Sequence, residues 1–561
     1  MPDTRIGVFV CHCGRNIGGY VDVPQVVEYA KTLPDVAHAE HNLYTCSEEG
    51  ISSIKRKIKE NDLNRVLVAS CTPRTHEPLF RSACQEAGLN KYLFEFVNIR
   101  DQCSWVHMNL PKEATEKAKA LIRMGVAKAR LLQPLEEIEI EVTPSCLVIG
   151  AGAAGMTAAL NLANQGFDVH LVEKRAELGG LLRGLHRLFT GNQDAGEFIV
   201  PLINQVRDHE HITIHLSTKV KEVKGFIGNF DVTLDHGQKE SAVGVGTIIV
   251  AVGAEEFKPA GQYGYGETAG VLTQLELEER MKEGTLRAKN VVMINCVGAR
   301  VPERTYCSRF CCLTAIKNAV LIKENDPDAN VWILHRDLMA YGVEFEDYYR
   351  KAMQLGVRFV RYSLDSLPEV IMDGEVESVR VRHQLMGKQV ELPSDMVVLT
   401  TPLVPRGENP EISKMLKVPL SSEGFFLEAH LKLRPVEFAT DGIYICGSAR
   451  WPVEVSEAVF QAYASAAKAA MPMRRGYVCP EAITSFVNEE FCGGCGICAV
   501  LCPYSAMLMD AKNGKRVARS IEALCKGCGT CGAACPSGAI TMNHFTDNQI
   551  LAQIEALTEA R

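Results

Sequence analysis

Two cysteine runs carry the strongest chemical signal in the chain: Cys492-x2-Cys495-x2-Cys498-x3-Cys502-Pro503, then Cys525-x2-Cys528-x2-Cys531-x3-Cys535-Pro536. Thiolates spaced this way bind iron–sulfur cubanes. Three cysteines wrap one face of a cluster in a tight turn, and Gly493, Gly494, Gly496, Gly527 and Gly529 give that turn its freedom. The fourth cysteine of each run starts the next segment and reaches the other cluster. One [4Fe–4S] cluster is therefore expected on Cys492, Cys495, Cys498 and Cys535, and a second on Cys525, Cys528, Cys531 and Cys502. Zinc ribbons use cysteine pairs, which these runs of four do not match.

Two looser sets follow the same chemistry. Cys296, Cys307, Cys311 and Cys312 lie between a strand expected at 290–295 and a helix expected at 313–323. That places four thiolates outside the strand ends, where open α/β sheets bind ligands. An adjacent Cys-Cys pair does not normally turn both side chains into one core, so a third cluster is expected here. Near the N-terminus, Cys11, Cys46, Cys71 and Cys103 each follow one of four strands, at 6–10, 37–44, 65–70 and 92–99. Strands of a parallel sheet share one carboxyl edge, so these four are expected to hold a fourth [4Fe–4S] cluster. Cys13 rivals Cys11 for the first place. Cys84 falls inside a helix and reads as core. Scattered structural cysteines are the alternative for this N-terminal set. His12 reads as a turn residue.

The elements that position these groups are those of an α/β protein. A short apolar strand at 146–149 runs into Gly150-Ala-Gly152-Ala153-Ala154-Gly155, a helix at 156–165 and a second strand at 168–172 that ends at Glu173. This is a complete dinucleotide fingerprint: the glycines permit the turn, the helix N-terminus receives pyrophosphate and Glu173 accepts from ribose. Lys174, Gly179 and Gly180 follow and are assigned to the same nucleotide. Two later segments, around Ala251 and Gly253 and around Gly447, resemble the further flavin-binding elements of two-dinucleotide flavoproteins, which makes FAD the expected nucleotide. In those proteins an aspartate follows the second glycine; here Ser448 stands there. A second glycine-rich turn for NAD(P)H is expected after residue 290 in the thioredoxin-reductase-like fold, and cysteines occupy it instead.

The expected architecture is thioredoxin-reductase-like FAD-binding Rossmann domains, an N-terminal α/β domain and a C-terminal two-cluster ferredoxin domain. The boundaries read as 1–135, 144–475, 480–545 and a terminal helix over 546–561. The ferredoxin runs are the only internal repeat visible. Twenty-one cysteines without an apolar leader point to metal and redox chemistry in the cytoplasm, not disulfides. A net charge of −8 gives no case for nucleic acid. No apolar run approaches the roughly 18 residues of a membrane span, so no direct membrane insertion is expected. No nucleophile–base constellation is visible, so the chemistry is the cofactors' own.

Cys296-x10-Cys307-x3-Cys311-Cys312 beside an FAD fingerprint resembles the HdrA-like family, the iron–sulfur flavoproteins of heterodisulfide reductase, over nearly the whole chain. The resemblance implies an oxidoreductase that acts within a multisubunit complex, with a flavin that bifurcates electron pairs. It also implies disulfide-reducing, iron–sulfur and electron-input subunits as partners, ferredoxin as a possible partner, and a homodimer within the complex. Lys317 would then approach the flavin as a catalytic cation; a solvated surface lysine is the alternative. Archaeal family members carry a further ferredoxin insert, and no Cys-x2-Cys occurs here between 150 and 480. A quinone-linked relative in sulfur metabolism and a stand-alone NAD(P)H:ferredoxin-type oxidoreductase are the competing readings.

Overall fold

The computed structural model describes residues 3–188, 192–237, 239–512 and 514–558, without the side chains of residues 74 and 75. It forms two compact units: Ile140–Val478, and a bipartite unit of Met1–Glu139 with Cys479–Arg561.

The bipartite unit is built on four parallel strands in the order Val36–Asn42, Ile6–Cys11, Arg65–Ser70 and Phe94–Asn98. The strand Ile6–Cys11 is apolar throughout and fully buried, as a parallel strand covered on both faces must be. Val8 and Val10 pack with the helices Val23–Ala30 and Pro111–Ala129, while Phe9 packs with Glu48–Glu60 and Pro73–Glu86. Ser47 and Asp22 cap two of these helices by accepting from the Gly50 and Gln25 N–H groups. All four sequence-expected strands and helices are present, with ends displaced by a few residues.

The C-terminal segment completes this unit. Strands Ser485–Val487 and Ile540–Met542 pair antiparallel, a hairpin joins Met507–Lys512 to Lys515–Ser520, and each cysteine run contains a short helix, Ile497–Leu501 or Thr530–Ala533. The helix Asp547–Thr558 packs along Pro111–Ala129, where Gln549 donates to the Leu131 carbonyl at 3.1 Å. The sequence-expected helix extends to 561, and its last residues, 559–561, lie outside the described residues. Arg81 pairs with Glu481 at 2.9 Å in the same unit.

The unit Ile140–Val478 contains two five-stranded parallel sheets. The first runs Ile443–Ile445, Thr247–Val250, Ser145–Ile149, Asp168–Val172, Ile212–His215. The second runs Val271–Thr273, Met396–Thr400, Asn290–Asn295, Asn330–His335, Arg358–Arg361. Each also carries a three-stranded antiparallel sheet, Lys219–Phe226 to Glu240–Val245 in one and Glu369–Asp373 to Lys388–Pro393 in the other. The ferredoxin runs are therefore not the only repeat: apart from the edge strand, which comes last in one half and first in the other, the two halves share a strand order that their sequences do not display. The helix Val455–Arg475 passes through Pro472 and stops at Gly476 with φ 80°. Ile140–Glu141 then pairs with Tyr477–Val478, so the chain joins and leaves this unit through one narrow ribbon.

Candidate functional site

A cavity of 410 Å³ opens at the carboxyl ends of the first sheet. Gly150, Gly152, Ala153, Ala154, Glu173, Lys174, Gly180, Ala251, Gly253 and Gly447 all line it. Gly155 and Gly179 shape it from behind. A Cβ on Gly155 would lie 1.8 Å from the Gly150 carbonyl oxygen, so helix and turn meet only through glycine. Gly179 adopts φ 113° and donates to the Ala151 carbonyl at 2.9 Å. The helix Ala153–Ala163 starts at Gly152 with no side-chain cap, which leaves its first N–H groups for a phosphate. Glu173 is buried and accepts from the N–H groups of Ala151 at 2.8 Å and Arg175 at 3.0 Å. Lys174 pairs with Glu408 at 2.6 Å. Ser448 lines the cavity and donates to the Val453 carbonyl at 3.4 Å.

Lys317 is buried in the wall of this cavity, not solvated, with its side chain 2% exposed. It forms an ion pair with Glu278, whose side chain is 0% exposed, and donates to the Arg187 carbonyl. Burial pushes the lysine below its ordinary value while Glu278 opposes the shift. Glu278 also accepts from the His186 N–H at 2.9 Å. Sequence reasoning passed over Glu278. It belongs to an acidic stretch, and only the packing of the helix Gln274–Lys282, capped by Thr273 and Glu276, turns it inward.

The middle cysteines come together beside the cavity. Cys296 directly follows its strand and holds φ 64°, just as Gly150 directly follows the strand of the first half with φ 104°. A cysteine thus stands in left-handed backbone where the flavin half has its first glycine, a strain of about 1–3 kcal/mol. Cys311 and Cys312 open the helix Cys311–Asn325. Burial raises the Cys311 thiol, and Cys312, Cys307 and Cys296 raise it further. Burial likewise pushes Cys312 up to about 12, with Cys296 and Cys307 adding to it. Cys311, Phe310, Thr314 and Lys317 all line the flavin cavity. Around these thiols, both amide atoms of Asn295, Thr401 Oγ1, His335 Nδ1 and Arg336 Nε are buried without a hydrogen-bond partner. Every cysteine is a free thiol. A buried group of free thiols ringed by unmatched polar atoms fits an iron–sulfur cluster.

At the N-terminal sheet edge the structure gathers Cys11, Cys13, Cys46 and Cys71. The Cys46 thiol is raised by burial first and then by Cys11, Cys71 and Cys13. N–H groups of Cys13 and Thr45 approach Cys11 Sγ at 3.2 and 3.4 Å, and Arg100 approaches Cys13 Sγ at 3.8 Å. Cys103 does not join them. Its thiol donates to the Ala114 carbonyl at 3.1 Å and packs among the residues facing Pro111–Ala129. Cys13, expected as the rival of Cys11, stands in the same group with it, whereas Cys103, in the wide turn Arg100–Ser104, faces the helix Pro111–Ala129. Asn42 Oδ1 and Thr45 Oγ1, buried without partners, flank the set. Cys84 is core, as expected.

In the C-terminal segment, one small cavity is lined jointly by Cys525, Cys528, Cys531 and Cys502, the last from the other run. Cys492, Cys498 and Cys535 share one small core with Cys502 and Cys531 of the other set. N–H groups of Ala518, Ala506 and Ser485 approach Cys492, Cys502 and Cys525 Sγ at 3.4, 3.2 and 3.4 Å, the hydrogen bonding that tunes cluster thiolates. Among the described residues no three His, Cys, Asp or Glu close around a single ion; in a cubane each thiolate instead binds its own iron.

Fold, cavity and cysteine pattern together define an oxidoreductase that binds FAD and [4Fe–4S] clusters. The profile of the pyridine nucleotide-disulphide oxidoreductase family matches residues 144–466, and that of the 4Fe-4S dicluster domain matches 491–546. The chain is 40% identical to an iron-sulfur A-subunit of the CoB--CoM heterodisulfide reductase of Methanopyrus kandleri, over 92% of each chain. It is 39% identical to the A-subunit of the H(2):CoB-CoM heterodisulfide,ferredoxin reductase of Methanothermobacter marburgensis, over 91% of each. The chain belongs to this family, the A-subunits of heterodisulfide reductase. The alignment with the Methanopyrus protein spans 611 positions against the 561 residues here, so that relative carries segments this chain lacks. Among solved structures, Lactococcus lactis thioredoxin reductase aligns with a TM-score of 0.44 at 18% identity, over 59% of this chain and 99% of that one. No helix among the described residues is long and apolar enough to cross a membrane.

Proposed function

We propose that this chain is the electron-bifurcating component of a heterodisulfide-reductase-like complex and holds one FAD and four [4Fe–4S] clusters. The ligand sets are Cys11, Cys13, Cys46 and Cys71; Cys296, Cys307, Cys311 and Cys312; Cys492, Cys495, Cys498 and Cys535; and Cys525, Cys528, Cys531 and Cys502. FAD supplies exchange between paired and single electrons, and the clusters supply single-electron transfer. Lys317, fixed by Glu278 and the Arg187 carbonyl, holds a positive charge against the cavity, which favours a negatively charged reduced cofactor. The name of the Methanothermobacter relative couples a heterodisulfide with ferredoxin, which suits a protein that splits electron pairs. Disulfide-reducing, iron–sulfur and electron-input subunits, ferredoxin and a second copy of this chain are the partners of this reading, in the cytoplasm.

The observation that carries it is Cys311, which lines the flavin cavity and belongs to the middle cysteine set. Cysteines occupy the turn that holds a pyridine nucleotide in related folds, so a single-electron port replaces a hydride donor. The double variant Cys311→Ala, Cys312→Ala should keep its FAD, since Gly150, Gly152, Gly155 and Glu173 are in the other half. It should block electron flow between the flavin and the partner subunits. A folded, flavin-loaded double variant that turns over normally in the reconstituted complex refutes this path.

A further inference from the structure

We propose that Arg336 is a positioning residue for the middle centre: its guanidinium balances the negative charge that a cluster on Cys296, Cys307, Cys311 and Cys312 brings, and raises that cluster's reduction potential. The proposal rests on the reading of those four cysteines as ligands. Arg336 is buried, 8% exposed, and its fork is spent on the loop that carries the first of those thiols. It donates to the Arg300 carbonyl at 2.8 Å, to the Cys296 carbonyl at 3.4 Å and to the Ala299 carbonyl. Its Nε is buried with no partner. Among the described residues it forms no ion pair; the neighbouring Asp337 is taken by Arg300 at 2.7 Å and Arg361 at 3.0 Å. A guanidinium stays charged in a protein, and a buried charge is paired or it is costly. The anion is missing from the side chains but present in the chemistry of the site. Four thiolates outweigh the positive charge of a cubane core.

The duplicated topology supports the assignment. In the flavin half, Glu173 follows the second strand and accepts from an N–H of the first turn. In the other half, Arg336 follows the second strand and donates to carbonyls of the corresponding turn. The same position has changed sign, as it should if one turn serves a hydroxyl-bearing nucleotide and the other an anionic cluster. Reduction adds one electron to the cluster and so one negative charge. A fixed cation stabilises the reduced form and raises the midpoint.

The test uses the anaerobically purified, flavin-loaded full chain, titrated with dithionite through redox mediators and followed by EPR. The signal altered by Cys296→Ser identifies the middle centre. Arg336→Gln should lower that midpoint by at least tenfold in the reduced-to-oxidised ratio, about 59 mV for a one-electron couple, and leave the other centres in place. Arg336→Lys keeps the charge and should stay within threefold of the wild type. A Gln variant with an unmoved midpoint overturns the proposal, and so does a Lys variant displaced as far as Gln. If Arg336→Gln yields no folded chain, the Lys variant decides: a near-wild-type midpoint supports the proposal, and a tenfold fall or loss of that centre's iron overturns it. If Cys296→Ser alters no signal, the reading of the four cysteines fails, and the proposal falls with it.

Discussion

Removing Glu278 should destabilise the flavin unit by stranding Lys317. The side chains are 0% and 2% exposed, and the carboxylate also receives the His186 N–H. Glu278→Ala leaves an ammonium with only the Arg187 carbonyl, and truncating one member of a buried pair costs about 3–5 kcal/mol. Glu278→Gln keeps one acceptor oxygen for Lys317 but turns an NH2 toward the His186 N–H, so it should recover only part of the loss. The double variant Glu278→Leu, Lys317→Met removes both charges and should recover most of the loss, since apolar replacement of a buried pair is neutral or stabilising by about 1–4 kcal/mol. The assay is urea unfolding of the flavin-loaded chain by far-UV circular dichroism, with flavin fluorescence reporting the cavity. The pH dependence has a defined sign. Burial holds Lys317 below 10.5, so between its shifted value and 10.5 the unfolded chain binds more protons, and stability rises with pH there. A Glu278→Ala chain that unfolds at the wild-type urea concentration would show that Lys317 reaches water or another anion, and the argument from its burial would fail.

His544 should make the bipartite unit acid-sensitive: burial, helped by Lys128 and Arg81, holds it at about 4 against an ordinary 6.5. The unfolded chain therefore protonates first, and about 3 kcal/mol should be lost as pH falls from 6.5 to 4; His544→Asn, which suits the φ of 66° there, should flatten that slope, and an unchanged slope refutes the assignment. Anaerobic iron analysis should give about 16 atoms per chain, falling to about 12 in Cys13→Ala and staying at 16 in Cys103→Ala; the reverse pattern would restore Cys103 as the ligand. Gly155→Ala should abolish stoichiometric FAD, because its Cβ meets the Gly150 carbonyl at 1.8 Å; a full flavin absorbance at 450 nm per chain would contradict this.

What could be read from sequence was what is encoded locally. The ferredoxin-type runs and Gly150–Gly155 carry their geometry in their spacing, and both sit where the spacing puts them. The N-terminal set was half legible. A parallel sheet dictates that residues after its strands share an edge, but not which way the turn beyond Asn98 swings, so Cys103 is expected at that edge, while Cys11 and Cys13, expected as rivals, both stand there. The strand Lys219–Phe226 was invisible because its apolar residues do not alternate. Val220 and Val223 are three apart, and a bulge opposite Thr233 and Leu234 takes up the extra residue. The repeat in Ile140–Val478 escaped for a different reason: Cys296 replaces glycine and Arg336 replaces glutamate, so the halves agree in backbone and disagree in side chain. Glu278 and Arg336 act through long-range contacts that no local pattern announces.

The ribbon of Ile140–Glu141 and Tyr477–Val478 bears on the order in which the protein can be assembled. It makes the flavin unit an insertion whose two ends leave side by side, the geometry that lets an inserted domain fold on its own. The outer unit has no such independence. Pro111–Ala129 precedes the flavin unit in the chain, yet the helix Asp547–Thr558 that covers it follows that unit and is made only after it. Contacts this distant in sequence form slowly. The helix Pro111–Ala129 must therefore keep that face uncovered while the whole flavin unit is made. A chain stopped within 479–558 would release a finished insert in an unfinished frame.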